Sequence, residues 1–256
     1  MTEPRLDRVL LTNDDGIDAP GLAVLEEVAA TLAQEVWVVA PVHDQSGTSH
    51  SLSLHDPLRV TGHGPRRFAV SGTPGDCVAL GVRHIMAAHP PTLILSGINR
   101  GANLGVETVF SGTVGAAMTG MLLGIPSIAL SQAFTDGQPV RWETARALAP
   151  EAIRHLARTG WPDDCCLNVN FPGCAPEKAA GLRLATQGAG LLDGIDAIVR
   201  TDPRGLDYYW LKLRRSQKPD RPDTETAALA AGYVAVTPLR FERTSDAAYE
   251  ALRGRI

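Results

Sequence analysis

The sequence predicts an α/β fold, a three-layer sandwich with a mostly parallel sheet and a C-terminal arm or hairpin extension. Short apolar runs alternate with amphipathic stretches through the first two thirds of the chain, a pattern typical of strands joined by crossover helices. The 256 residues suit one large domain. Beyond Gly188 the strand and helix signals become less regular. We therefore expect a single domain over residues 1–256, in which residues 189–256 form an extension.

Each predicted element follows from a local pattern in the sequence. An apolar run at 8–12 predicts the first strand, and Pro20 suits the first turn of the helix after it. The segment Thr-Pro-Gly-Asp at 73–76 predicts a capped helix start. Pro150 lies inside the helical stretch 142–158, so we expect a kinked helix or two helices there. The other predicted strands are 36–40, 92–96, 125–131, 166–171, 208–211 and 233–236, and a further helix is predicted at 224–231.

Composition excludes several classes of protein and of partner. Apolar residues make up 44% of the chain and charged residues 20%, which excludes a disordered chain. A net charge of −4 gives no overall attraction to a nucleic-acid polymer or an anionic membrane. The first ten residues lack a signal-peptide core, and no apolar run approaches the length of a membrane span. We expect a cytoplasmic protein whose cysteines are small buried hydrophobes: Cys77, Cys165, Cys166 and Cys174.

Two adjacent carboxylates follow the first predicted strand. Asp14 and Asp15 lie between Asn13 and Gly16, two residues typical of a turn. Ligands in open α/β sheets bind at this end of the strands, and a turning chain allows neighbouring carboxylates to reach one cation. Carboxylate oxygens suit Mg²⁺ or Mn²⁺. Taken alone, the motif is more often an Asx-turn or a helix cap than a metal site.

The loop at 41–51, after the second strand, concentrates hydroxyl groups around a glycine. Ser46 is a candidate metal ligand, and the backbone N–H groups near Gly47 are candidates for binding an anion. An ordinary solvated surface loop explains the composition about as well. The histidines His43, His50 and His55 lack the spacing of a zinc site.

A glycine-rich segment follows the third core strand. Asn99 offers a neutral oxygen to the same cation, and the segment Ser111, Gly112 and Thr113 opens a predicted helix whose N-terminus suits phosphate. Glycines needed for tight turns and close packing are the alternative explanation. Neither the P-loop pattern nor G-x-G-x-x-G is present, so a nucleoside triphosphatase and a dinucleotide-dependent dehydrogenase lose support.

Taken together, these blocks closely resemble the SurE family of stationary-phase survival proteins, which are 5′-nucleotidases. The resemblance rests on LLTNDDGIDAPGL, APVHDQSGTSHSLS, SGTPGDCVALGV, LILSGINRGANLGVETVFSGTVGAA and GIPSIALS, and later on NVNFP, DPRGLDYYWL and GYVAVTPL. It implies a Rossmann-like sandwich and a metal-dependent phosphomonoesterase acting on nucleoside 5′-monophosphates, on 3′-monophosphates and on short polyphosphate. It also implies homodimers or homotetramers with exchanged C-terminal arms. The implied ligands of one Mg²⁺ or Mn²⁺ per subunit are Asp14, Asp15, Ser46 and Asn99, of which Asp14, Asp15 and Asn99 are the catalytic candidates.

We hypothesise a metal-activated water that attacks the phosphorus in line, while backbone and side-chain groups neutralise the phosphate oxygens. The candidate phosphate-binding residues are Ser46, Gly47, Asn103, Ser111, Gly112 and Thr113. Either aspartate could act as the base, and the sequence does not assign that role. Two positions depart from the family pattern. Gln45 stands where a basic residue is common, and Arg100 could supply the missing positive charge. Thr119 stands where Glu is common.

Three other functions compete with this interpretation. A haloacid dehalogenase-like phosphatase needs D-x-D spacing, which the adjacent Asp14 and Asp15 lack. A non-catalytic nucleotide-binding protein and a phosphotransferase would use the same loops. Phe110 is as well placed to stack a base as to pack, whereas packing in a core or an interface is the preferred role of Tyr208, Tyr209 and Trp210.

Overall fold

The structure is a computed structural model, and it describes residues 6–135, 137–216 and 221–255. Its strands are β1 Leu6–Thr12, β2 Ala33–Pro41, β3 Val60–Gly64, β4 Arg67–Val70, β5 Leu93–Arg100, β6 Ser127–Gln132, β7 Cys166–Phe171, β8 Leu182–Leu184, β9 Leu192–Thr201, β10 Asp207–Arg215 and β11 Val234–Leu239. Its α-helices are α1 Pro20–Leu32, α2 Pro74–Leu80, α3 Gly112–Leu122, α4 Trp142–Thr159, α5 Glu225–Ala230 and α6 Asp246–Arg253. A 3-10 helix spans Gly105–Val109, and another spans Pro176–Lys178.

Nine strands form one sheet in the order β3-β4-β2-β1-β5-β6-β7-β11-β8. The central pairs, from β4 through β7, are all parallel, whereas β3 and β11 run antiparallel to their neighbours β4 and β7. The chain moves from β1 to β2 on one side and later returns to β5 on the other side of β1. The order therefore reverses between β1 and β5, the point at which α/β sheets of this kind bind ligands.

Alternation along the strands builds two apolar layers. In β1, Val9 and Leu11 face the layer of α1 and α4, while Leu10 faces the layer of α2 and α3. Successive side chains of a strand point to opposite faces, so strands covered on both sides are apolar throughout. The predicted three-layer α/β sandwich with a mostly parallel sheet is confirmed.

Local signals in the sequence place the helix starts correctly. Pro20 is the first residue of α1. Thr73 caps α2 reciprocally with Asp76, and the Ser111 hydroxyl accepts the backbone N–H of Val114 at the start of α3. Around Pro150, α4 is one continuous helix, so the alternative of two helices is wrong. Proline removes only the N–H that would reach the carbonyl of Arg146 four residues earlier, and the helix continues on both sides of it.

The C-terminal third adds an antiparallel hairpin of β9 and β10, a two-stranded sheet separate from the main one. The side chains of Tyr208, Tyr209 and Trp210 are 45%, 64% and 62% exposed. The prediction that these three side chains pack in the core of this chain is therefore wrong, because a two-stranded ribbon leaves both of its faces uncovered. Elsewhere, Cys77, Cys165 and Cys166 are buried thiols, as predicted, and Cys174 is partly buried. Across the described ranges, no helix combines the length and apolarity needed to cross a membrane.

Candidate active site

A cleft of about 190 Å³ opens at the carboxyl ends of β1, β2 and β5, where the strand order reverses. It is lined by Asp14, Asp15, Ser46, Gly47, Asn99, Arg100, Gly101, Ala102, Asn103, Glu107, Phe110, Ser111, Leu213 and Arg215. Seven of the nine residues predicted from the sequence line this cleft. The other two, Gly112 and Thr113, lie behind it.

Asp14 is a buried carboxylate, with only 4% of the residue exposed. The Thr113 hydroxyl donates a hydrogen bond of 2.5 Å to its Oδ1. Gly112 packs directly against it, since a Cβ on Gly112 would lie 2.8 Å from the Asp14 Cβ. Burial, with the charge of Asp15 adding to it, raises the Asp14 pKa to about 6, while the Thr113 bond acts in the opposite direction. A desolvated carboxylate favours either a proton or a cation.

Asp15 is half-buried beside Asp14. The backbone N–H of Arg100 donates to its Oδ2 at 3.2 Å, which joins the turn after β1 to the end of β5. Burial raises the pKa of Asp15, and the negative charge of Asp44 adds to this effect. Two neighbouring carboxylates with raised pKa values favour a cation that neutralises both.

The loop after β2 is fixed on the turn after β1. The backbone N–H of Gln45 donates to the Asp14 carbonyl at 2.7 Å, and that of Ser46 donates to the Asp44 side chain at 2.7 Å. These bonds hold the exposed Ser46 at the cleft. Gly47 has a φ of +81°, a conformation that other residues rarely adopt. The loop is therefore ordered at the point where the sequence predicted a ligand.

Asn99 reaches the cleft through an irregularity in the sheet. The register between β5 and β6 shifts between Ser96 and Asn99, and such bulges redirect side chains near functional sites. The Asn99 Nδ2 donates to the Gly101 carbonyl at 2.8 Å. Because the amide nitrogen is used in this way, the side-chain oxygen is the atom that can face a cation.

Asn103 is held from three sides. Its backbone N–H donates to the Asn170 side chain at 2.9 Å, and its carbonyl accepts the Asn168 Nδ2 at 2.8 Å. Its own Nδ2 donates to the Ser131 hydroxyl at 2.9 Å. Sequence reasoning did not identify Asn168, Asn170 or Ser131 as partners, although the asparagines alternate on the apolar strand β7. Buried amides on a core strand are the signal that could have found them.

At the start of α3, the three predicted phosphate-binding residues have different positions. Ser111 lines the cleft and caps the helix. Thr113 is fully buried, and both its hydroxyl and its backbone N–H interact with Asp14. Gly112 lies between them, close to Asp14. Thr113 therefore positions a carboxylate, and its side chain does not face the cleft.

The lining residues that were not predicted from the sequence include Glu107, Leu213 and Arg215. Glu107 belongs to the 3-10 helix, while Leu213 and Arg215 come from β10, about 200 residues after Asp14 in the sequence. The Arg215 guanidinium donates to both oxygens of Glu107, at 3.0 and 2.9 Å. Nothing local in the sequence marks Leu213 and Arg215, since a distant hairpin brings them to the cleft. Phe110, 42% exposed, completes an apolar side of the cleft.

The donor atoms at the cleft fit a hard divalent cation. Within the residues that the structure describes, no three His, Cys, Asp or Glu side chains form a group that could hold a metal ion. The set here is instead two carboxylates, of Asp14 and Asp15, with neutral oxygens from Ser46 and Asn99. Mg²⁺ and Mn²⁺ favour such oxygens and keep several waters. The observation that favours the fit is the Asp14 carboxylate, which is buried beside a second carboxylate and has a raised pKa.

Fold and site together define a class of protein. It is an α/β protein whose mostly parallel sheet has helices on both faces, and its cleft, where the strand order reverses, suits a cation and an oxyanion. Comparison with known proteins narrows this class. The family model described as "Survival protein SurE" matches residues 9–193. The chain belongs to the SurE family.

Curated relatives extend the match to nearly the whole chain. "5′-nucleotidase SurE 1" of Burkholderia lata is 63% identical over 252 residues, covering 98% of this chain and 97% of that protein. "5′-nucleotidase SurE" of Bradyrhizobium diazoefficiens is 50% identical, covering 96% and 98%. The crystal structure of the SurE protein from Aquifex aeolicus superposes with a TM-score of 0.81 at 35% identity, covering 97% of this chain and 99% of that one. The C-terminal hairpin therefore lies within the span shared with these proteins.

Proposed function

We propose that this chain is a 5′-nucleotidase that hydrolyses nucleoside 5′-monophosphates to nucleoside and phosphate. The observation that carries the proposal is the meeting, in one cleft, of Asp14 and Asp15 with the N-terminus of α3. The first pair suits a cation and the helix N-terminus suits a phosphate. Hydrolysis of 3′-monophosphates and short polyphosphate is part of the same proposal, because the proposed contacts are made to the phosphoryl group, which these substrates share.

The relatives support this activity independently of the geometry. Proteins named 5′-nucleotidase are 50% to 63% identical to this chain over nearly its full length. Identity at this level over both the sheet and the hairpin favours the same reaction.

We infer that Asp14, Asp15, Ser46 and Asn99 would hold one Mg²⁺ or Mn²⁺ per subunit. When bound, the cation would supply Lewis acidity for the phosphoryl oxygen and a water activated for in-line attack. Thr113 keeps the Asp14 carboxylate fixed, and the Arg100 backbone does the same for Asp15. These supports reduce the reorganisation needed when the substrate arrives.

Other residues that line the cleft are suited to the phosphate oxygens. Ser111 offers a hydroxyl at the positive end of α3, and Gly47 exposes backbone in a loop that a larger residue would strain. Asn103 lines the same cleft with its orientation fixed by the network around it. Arg100 supplies a positive charge where Gln45 has none. Thr119 lies buried in α3, with its hydroxyl on the Gly115 carbonyl, and takes no part in the cleft.

The test is phosphate release from a panel of 5′- and 3′-nucleoside monophosphates and tripolyphosphate, after chelation and then with Mg²⁺ or Mn²⁺ restored. We expect turnover that disappears with chelator and returns with metal. Binding of nucleotide without phosphate release under any metal would favour a non-catalytic binding protein instead. Undiminished turnover after chelation would contradict the metal assignment. An added alcohol that captures the phosphoryl group would identify a transferase.

We also propose that the protein acts in the cytoplasm as a homodimer or homotetramer. The four free thiols support a reducing compartment. The exposed aromatic residues of the β9–β10 hairpin support a second copy as its partner.

A further inference from the structure

A buried carboxylate that lies outside the cleft connects two segments of the chain, and both segments lead to the cleft. Glu225 begins α5 and is only 1% exposed. One of its oxygens accepts the backbone N–H of Gly105 at 2.6 Å, and the other accepts that of Gly188 at 2.8 Å. Buried charges are found where hydrogen bonds compensate the lost water, and bonds to a charged acceptor are the stronger ones. Glu225 therefore fixes both glycine amides.

Each of these glycines begins a segment that reaches the cleft. Gly105 opens the 3-10 helix that leads to Phe110 and Ser111, both of which line the cleft. Gly188 precedes the hairpin whose second strand ends at Arg215, also a lining residue. One carboxylate thus holds the inner wall of the cleft and the base of the hairpin together.

Other contacts tie the same two segments. The Gln187 Nε2 donates to the Gly105 carbonyl at 2.8 Å and to the Thr108 hydroxyl at 2.9 Å. The backbones of Gly105 and Gly190 touch, since a Cβ on Gly105 would lie 2.2 Å from the Gly190 nitrogen. These short distances leave little room for the wall to move while Glu225 is in place.

We propose that Glu225 is a positioning residue for nucleotide binding, which sets the wall formed by Phe110 and Ser111 through the Gly105 amide. The inference rests on the proposed nucleotidase function for its kinetic readout. Glu225 lies outside the cleft, so its effect falls on the affinity for the substrate, whereas the carboxylates that hold the reacting group stay in place.

The test compares Glu225→Gln with Glu177→Gln, the same change at an exposed glutamate. Glutamine has one acceptor oxygen, so one of the two glycine amides loses its bond. We expect the KM for AMP to rise about tenfold with kcat within about twofold of the wild type. We also expect faster hydrogen exchange in peptides containing Gly105 and Gly188. The Glu177 variant should match the wild type in both measurements.

A second variant tests the inference even if the first variant does not fold. Gln187→Leu loosens the same wall from its other side without changing a buried charge, and its KM should rise about threefold. A folded Glu225→Gln protein with unchanged KM would overturn the inference, and so would a lower kcat at constant KM. If Glu225→Gln does not fold, an unchanged KM in Gln187→Leu overturns it.

Failure of the proposed function gives a different result. If the wild type releases no phosphate from any nucleotide, calorimetric titration with AMP replaces KM. Weaker AMP binding in Glu225→Gln, with faster exchange at both glycines, would then support the positioning role. Unchanged or absent AMP binding would overturn it.

Discussion

The turn after β1 and the β9–β10 hairpin both contribute to one cleft, but they are stabilised in opposite ways. Asp14 is 4% exposed and supported by Thr113, Gly112 and the loop after β2. Among the described residues, none form a layer over either face of the hairpin, and Leu211 is 77% exposed. An isolated two-stranded ribbon is marginally stable in water. The candidate catalytic carboxylate is thus held within the packed domain, whereas the part of the cleft formed by β10 depends on the contact of Arg215 with Glu107.

The largest effect should come from a substitution in the buried turn after β1. Asp14→Asn keeps the shape of the side chain but removes a charge from the candidate cation site. We expect kcat/KM for AMP to fall by about 1,000-fold or more. Asp18→Asn, which changes an exposed aspartate four residues away, should have little effect. Steady-state phosphate release checks both, and similar activity in the two variants would contradict the site.

The next effect is on the stability of the metal-free protein as pH changes. The Asp14 pKa is raised from 3.8 to about 6 by burial. The folded chain thus binds the proton more tightly than the unfolded chain. Protonation of Asp14 therefore adds to the free energy of unfolding. This stabilisation is fully present below pH 3.8 and is lost as the pH rises through about 6. Its full size is about 3 kcal/mol, at about 1.4 kcal/mol for each unit of pKa.

Asp14→Asn isolates that contribution. In chelator, the wild type should lose free energy of unfolding relative to the variant as the pH rises from 4 to 7, measured with urea at each pH. Added Mn²⁺ should restore the wild type at pH 7 and leave the variant unchanged. Parallel pH profiles for the two proteins would show that Asp14 titrates normally.

A smaller effect should follow from filling the space between α3 and Asp14. In Gly112→Ala the new methyl group would lie 2.8 Å from the Asp14 Cβ and 3.2 Å from Pro74. We expect a loss of about 1–3 kcal/mol in the free energy of unfolding, as in other overpacked sites. Activity should fall because Asp14 must move. Gly62→Ala, where a Cβ meets nothing within 4 Å, is the matched control in chemical denaturation. Equal stability of the two variants would argue against close packing behind Asp14.

Features of this fold that depend on a few neighbouring residues could be predicted from the sequence, whereas those that depend on distant segments could not. Pro20, Thr73 and Ser111 mark helix starts because caps act on the next few residues. The sequence brought the loops after β1, β2 and β5 to one cleft because parallel strands end at one edge of the sheet. Arg215 could not be found in this way, since its place depends on how a hairpin folds back onto Glu107.

Thr113 and the aromatic run 208–210 also depend on contacts that the sequence does not show. Thr113 was predicted as a phosphate ligand from its place at a helix N-terminus, but the sequence does not show that its hydroxyl reaches Asp14. The aromatic run 208–210 has the composition of a core strand, yet it is exposed. Periodicity reports that a strand forms, and only the tertiary structure shows whether anything covers it.

The smallest change tests the exposed side of the comparison. Tyr208 and Trp210 lie on one face of β10, with ring centroids 6.4 Å apart. If a second copy covers this face, replacing both with serine removes apolar contacts and should shift the protein to a smaller assembly by light scattering at micromolar concentration. Leu54→Ser, at a side chain 79% exposed outside the hairpin, should keep the wild-type mass. Because Asp14 and its supports lie within one chain, the variant should retain metal binding even where KM rises. A wild type that is already monomeric, or an unchanged mass in the double variant, would show that a second copy does not cover this face.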